Sequence, residues 1–228
     1  MDLQKNKRIV FDNVRLATEA ANRPADSVSV IAVTKYVDST IAGQLIDTGI
    51  EHIAENRVDK FLDKYEALKD KSVIWHLIGT LQRRKVKDVI NLVDYFHALD
   101  SVRLASEIEK RADHPVKCFL QVNISEEDSK HGFKVSEIDA AIEEIDKMEN
   151  IQLVGLMTMA PANASQESVA EIFREANQLR KNLQSKKRKN MPFTELSMGM
   201  SSDYTIAIQE GSTFVRIGTS FSVSYTHL

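Results

Sequence analysis

Apolar residues along this chain follow two rhythms in turn. Val10, Val14, Ala17 and Ala21 fall at spacings of four, three and four, which predicts an opening helix near Asn6–Ala21, ended by Asn22–Pro24. Val28–Thr34 (VSVIAVT) is then apolar and β-branched over a strand's length. A helical stretch follows, capped at Asp38 or Ser39 and closed at Gly49. The pair then repeats. Further strands are predicted at Ile50–Ala54, Val73–Ile78, Tyr95–Leu99, Val116–Ile124, Gln152–Met157, Thr194–Met198 and Thr213–Ile217. Helical stripes fall between them, for example Val58, Phe61, Leu62, Tyr65 and Leu68, or Val169, Ile172, Phe173, Ala176, Leu179 and Leu183, with a short helix around Tyr204–Gln209 before the last strand.

Eight strands, each separated from the next by a helix, in about 190 residues predict an α/β fold of the (β/α)8 TIM barrel type, read as one domain over residues 1–228 with an extra N-terminal helix. The competing architecture is an open doubly wound sheet. It usually has fewer strands and a glycine-rich loop after the first one, where this chain carries TKYVDST.

Composition narrows the function classes. Hydrophobic residues make up 43% and charged residues 28% of the 228, an ordinary globular balance, and the net charge of −3 predicts no bulk attraction to nucleic acid or anionic lipid. The basic run Lys186–Lys189 lacks aromatic interleaving and reads as a solvated loop. A single cysteine, Cys118, excludes an internal disulfide and fits a reducing compartment; it lies in an apolar run and reads as buried filler. No stretch approaches the roughly 18 consecutive apolar residues of a membrane span, and the N-terminus lacks a signal peptide's apolar region. A cytoplasmic protein is the expectation. His52 and Glu55 are three apart on a strand and point to opposite faces, so no metal site is expected there.

In a barrel, the candidates for chemistry are polar residues just past each strand's C-terminal end. These are Lys35, Glu55–Arg57, His76, Asp100–Ser101, Asn123, Met157–Met159, Ser197–Asp203 and Arg216–Thr219. Lys35 is either a solvated ammonium or an amine that attacks a carbonyl. Gly218 and Thr219 offer backbone N–H groups and a hydroxyl where barrels often bind phosphate, and the hydroxyl-rich SMGMSS supplies another half of such a cradle. Together they suggest a phosphate site opposite the lysine, suited to a phosphorylated aldehyde such as pyridoxal 5′-phosphate.

Seven ordered blocks carry a resemblance: AVTK, the EN of AENR, WHLIG-x-LQ, NIS…SKHG, GLMTMAP, LSMGMSSD and GST-x-VRIGT. In this order, from about residue 6 to Thr219, they resemble the YggS/PROSC family of pyridoxal phosphate homeostasis proteins, related to the barrel domain of alanine racemase. The resemblance implies a fold-type-III barrel with pyridoxal phosphate held as an aldimine on Lys35. It further implies Arg216 at the pyridine nitrogen, Ser197, Ser201, Gly218 and Thr219 at the phosphate, and Asn56 and His76 along the cofactor.

Aldimine formation needs a neutral Lys35, which partial burial and the nearby Arg216 cation would favour. Arginine cannot take a proton from the ring nitrogen, so the ring would stay unprotonated, a weaker electron sink than a pyridinium. The racemase resemblance also implies a catalytic tyrosine on a C-terminal β-domain, which this sequence does not show after the eighth strand; Tyr204 is expected to pack structurally. Two-base racemisation would then lack half its apparatus. The expectation is a monomeric carrier of the cofactor, without turnover, serving pyridoxal-phosphate-dependent apoenzymes; the alternative is a small alanine-racemase-like enzyme acting on amino acids.

The sequence departs from the family pattern twice. Ala54 stands where the family usually has glycine, harmless only at negative φ. After Thr219 the family's Phe-Gly stretch gives way to SFSVSYTHL, which predicts a shortened final helix if it is native; VSYTHL also resembles the translation of a sequencing-transposon end, which leaves an assembly artefact as the alternative.

Overall fold

A computed structural model of the chain describes residues 2–125 and 131–222. The strands are β1 (Ser29–Val33), β2 (His52–Glu55), β3 (Ile74–Leu77), β4 (Tyr95–Leu99), β5 (Val116–Asn123), β6 (Phe133–Lys134), β7 (Ile151–Met157), β8 (Glu195–Met200) and β9 (Phe214–Ile217). The helices are α1 (Leu3–Ala20), α2 (Ser39–Asp47), α3 (Val58–Leu68), α4 (Val86–Val89), α5 (Val102–Arg111), α6 (Ile138–Ile145), α7 (Gln166–Ser185), α8 (Tyr204–Gln209) and α9 (Thr219–Ser222).

Eight of the strands close a parallel ring in the order β1-β2-β3-β4-β5-β7-β8-β9, with β9 pairing back onto β1. The short β6, which the apolar pattern did not predict, pairs with the end of β5 outside this ring. Because every pairing is parallel, all strand C-termini reach one rim, and the residues that follow them meet there.

Local chemistry sets the helix starts. Asp2, Asp38, Ser101 and Ser165 each accept a backbone N–H of the first turn and cap α1, α2, α5 and α7. α1 buries Val10, Val14 and Ala17 on its predicted face and packs on α8 and α9. Between ring and helices lies an apolar layer that includes Phe61, Phe96, Phe173 and Leu99. Cys118 lies in this layer, where burial pushes its thiol pKa well up and makes it inert. Ala54 keeps negative φ in β2, so the missing glycine costs nothing.

The inside of the ring is less ordinary. Rather than layers of branched aliphatics, its lower half holds His52, His76, Tyr95, His97, Phe119 and Phe214 in mutual ring contact. His76 stacks on Tyr95 with centroids 4.8 Å apart, and His97 on Phe119 at 4.3 Å.

The basic run after α7 is tied down by acids around α6. Lys186 pairs with Asp139 at 2.6 Å; Arg188 pairs with Asp146 at 2.7 Å and with Glu143. Among the described residues no helix is long and apolar enough to cross a membrane. Residues 126–130 and 223–228 lie outside the described residues, and with them Ser129-Lys130 of the SKHG block and the VSYTHL ending.

Candidate functional site

Strand alternation positions Lys35. Thr34 turns outward from the ring, so Lys35 turns toward the mouth. Behind it, the outward side chains form a buried charged support: Thr34 Oγ1 donates to Glu55 Oε1 at 2.6 Å, Lys64 of α3 donates to the Thr34 carbonyl at 2.9 Å, and Lys64 pairs with the same Glu55 oxygen. The Lys64 and Glu55 side chains are only 4% and 1% exposed. Lys64 sits in the apolar stripe between Phe61 and Leu68, and a charge there is the sequence signal that could have revealed this support. Lys35 itself is exposed, with its ammonium 4.8 Å from the Tyr36 ring centre, and makes no ion pair among the described residues. The partial burial expected of it is not seen, because it stands past the strand end on an open rim.

Asn56 follows β2. Its carbonyl lies so close to Gly79, after β3, that an added Cβ at Gly79 would come within 1.9 Å of it. Only glycine allows this approach. Gly79→Ala is therefore expected to lower stability by about 1–3 kcal/mol, the range of overpacking changes, as the Asn56 backbone is pushed aside. Urea denaturation reads the loss, and an unshifted midpoint would mean that the two loops part freely.

Arg216 projects inward from β9. One Nη donates to Ser197 Oγ at 2.6 Å and the other to the Thr158 carbonyl at 3.2 Å. Among the described residues no carboxylate pairs with it; burial pushes its pKa down to about 10, partly countered by the more distant Asp203. It stays protonated at neutral pH, a donor-only group facing the cavity. Beside it Ser201 accepts the Gly218 N–H at 3.4 Å, and the helical turn Thr219–Ser222 begins.

These groups line one cavity of about 460 Å³. Lys35, Asn56, Ser201, Arg216, Gly218 and Thr219 supply its polar wall; Tyr36, Ile78, Met157, Met159 and Met200 are among its apolar ones. A second cavity of about 340 Å³ shares Ile78, Met157, Met159 and Met200 with the first and extends to Asn123 and His131. Tyr204 starts α8 and packs against the core, away from both linings.

Two of the residues that the resemblance assigned to the cofactor do not line the cavity. Just past β3 the inward residue at the rim is Ile78, and His76 sits one inward position deeper, fully buried between His52 and His97. On β8 an irregularity between Ser197 and Met200 lifts Ser201 to the rim and leaves Ser197 underneath, its hydroxyl taken by Arg216 and His97. The placement of Lys35 is also corrected. Closure pairs Ile31 with Arg216 and Ala32 with Ile217, so the lysine flanks the Arg216–Thr219 segment on the neighbouring strand rather than facing it across the mouth. Sequence reasoning missed His97 and Lys64; Glu55 and Thr158 fell within candidate segments, but their roles as the partner of Lys64 and as an acceptor for Arg216 were not foreseen.

Residues 8–225 match the family model for the alanine racemase N-terminal domain. A pyridoxal phosphate homeostasis protein of Aquifex aeolicus is 38% identical over 213 residues, covering 92% of each chain. One from Escherichia coli is 31% identical, covering 96% of this chain and 94% of the relative. Among solved structures, PipY of Synechococcus elongatus with pyridoxal phosphate bound superposes with a TM-score of 0.80 at 31% identity, covering 92% of this chain and 98% of PipY. The alanine racemase of Clostridium difficile, at 15% identity and a TM-score of 0.72, shares the fold. On this match along nearly its whole length, the chain belongs to the alanine racemase N-terminal-domain family and, within it, to the pyridoxal phosphate homeostasis proteins.

Proposed function

We propose that this chain binds pyridoxal 5′-phosphate at the barrel mouth, holds it as a Schiff base on Lys35, and serves cofactor homeostasis by handing it on to apoenzymes without turnover of its own. The observation that carries the reading is one cavity lined by a lysine, a buried arginine without a carboxylate partner among the described residues, and a hydroxyl-and-amide cluster. Each fits one part of the cofactor. Lys35 meets the aldehyde, Arg216 offers a donor to the ring nitrogen, and Ser201, Gly218 and Thr219 offer donors to the phosphate. Asn56 and the methionines close the sides.

The cofactor would supply an electrophilic aldehyde on an electron-withdrawing ring. What this chain does with it follows from Arg216. A guanidinium donates and never accepts, so it holds the ring nitrogen as an acceptor and leaves it unprotonated. That weakens the ring as an electron sink. With no carboxylate beside Arg216 among the described residues to hold a pyridinium, the site favours retention over carbanion chemistry.

Purified protein mixed with pyridoxal phosphate is expected to turn yellow, with a near-ultraviolet-to-visible band that survives gel filtration, and to return the cofactor to an added apoenzyme. A protein that stays colourless at saturation would overturn the reading. Sustained conversion of L-amino acids to D-isomers or keto acids by the loaded protein would instead favour the racemase-like enzyme.

A further inference from the structure

Beneath the cavity runs a line of hydrogen bonds that cofactor binding leaves unused. Ser197 Oγ lies 2.6 Å from Arg216 Nη1 and 2.9 Å from His97 Nδ1. His97 Nε2 lies 2.8 Å from His76 Nδ1, and His76 Nε2 lies 2.9 Å from His52 Nδ1. His76 and His97 are fully buried, while His52 is half-buried and opens on a crevice at the opposite end of the ring, beside Asp26 and Glu51.

One end fixes the direction of the protons. Arg216 only donates, so Ser197 accepts from it, and among the described residues His97 Nδ1 is the acceptor left for its own O–H. A neutral imidazole that accepts at Nδ1 carries its proton on Nε2, so His97 donates to His76 and His76 donates to His52. In this arrangement every nitrogen between Ser197 and His52 is satisfied, and each lone pair points back toward the buried cation. The reverse arrangement fills both lone pairs of Ser197 Oγ and leaves its hydroxyl proton without an acceptor among the described residues.

We propose that His97, His76 and His52 are positioning residues for Arg216, and that a proton taken up by His52 at the far end of the barrel loosens the grip of the cavity on its ligand. The inference rests on the cofactor reading only for what Arg216 touches in the cavity.

The coupling follows from the chemistry of imidazole. An imidazolium at His52 carries a proton on Nδ1, which then faces the His76 Nε2–H across 2.9 Å. The clash is relieved only if the protons of His76 and His97 move from Nε2 to Nδ1. One proton is gained overall and two change nitrogen. His97 then donates to Ser197, whose oxygen meets two donors and whose hydroxyl proton loses its acceptor. The penalty lands on the contact that orients Arg216.

Burial lowers the pKa of His52, with Glu51 and Asp94 opposing; Asp26 shares the crevice, and Tyr95, with Lys117 over its ring, lies on the neighbouring strands. Burial also holds His76 and His97 well below the ordinary histidine range, so they are neutral at pH 7. The grip is therefore full at neutral pH and is lost as pH falls through the titration of His52, below the usual histidine value.

Two measurements test this. Nitrogen-15 histidine NMR of the ligand-free protein should show His76 and His97 neutral with the proton on Nε2, moving to Nδ1 as His52 titrates, with no such move in His52→Phe. Pyridoxine 5′-phosphate, which has no aldehyde and so bypasses Lys35, should bind about tenfold more weakly at a pH below the His52 titration that the NMR reports than at neutral pH, beyond any fall seen in His52→Phe. Tautomers that stay fixed across the titration, or equal pH slopes in the two proteins, would overturn the proposal. A wild-type protein that binds neither vitamer at any pH would sink the cofactor reading instead, and the tautomers alone would then decide the string.

Discussion

Lys35→Ala is expected to abolish the yellow band and to weaken retention of pyridoxal phosphate by about a hundredfold or more, roughly 2.7 kcal/mol. On the proposed reading the bond from amine to aldehyde would release one water and tie the ligand to the residue just past β1; without it only the arginine, hydroxyl and amide contacts would remain. Because Lys35 is exposed and makes no ion pair among the described residues, the same change should move folding stability by no more than about 0.5 kcal/mol. The two readouts separate a chemical role from a structural one. Absorbance and equilibrium dialysis give the first, urea denaturation the second. A variant that keeps its colour through gel filtration would remove Lys35 from the site.

The second large effect belongs to a residue that does not touch the cavity. Lys64→Met leaves Glu55 as a buried charge held only by the Thr34 hydroxyl, and breaking such a pair costs about 3–5 kcal/mol. Glu55 Oε2 already has no hydrogen-bond partner among the described residues, so the carboxylate has little else to fall back on. The double variant Lys64→Met with Glu55→Leu should recover most of the loss, because the uncompensated charge goes with its partner. Denaturation midpoints of the single and double variants, compared at low and high salt, check this; a buried pair should respond little to salt. A single variant as stable as the parent would show that water reaches Glu55. Since Lys64 also holds the Thr34 carbonyl, the single variant should loosen the residue next to Lys35 and broaden the absorbance band of the loaded protein.

The rim of the site was legible because it depends on local patterns. Lys35 follows an apolar run, and Gly218 and Thr219 follow another; period-two alternation and a strand end are enough to place them at the mouth. Depth was not legible. Whether His76 or Ile78 reaches the cavity depends on how strands are staggered around the ring, and no single strand records that. The irregularity in β8 that separates Ser197 from Ser201 is likewise a property of its pairing with β9. β6 is two residues long, too short for any alternation to show. Neighbourhood was overlooked for a different reason. A closed ring makes its first and last strands adjacent, and the reading that set the phosphate cradle opposite Lys35 did not carry the predicted closure through to that neighbourhood.

That seam between β1 and β9 carries a further consequence for how the molecule is made. It joins Ile31 to Arg216, residues 185 positions apart (216 − 31), so the closing contact is among the most distant in sequence that the ring contains. Contacts of this kind form late, after the entropy of a long loop has been overcome. During synthesis the amine-bearing strand waits for its guanidinium partner until nearly all the barrel has emerged. A small molecule that grips both sides works as a clasp. At a hundredfold excess over its dissociation constant it would hold the ring shut by about 2.7 kcal/mol, tying vitamin supply to the lifetime of the folded chain.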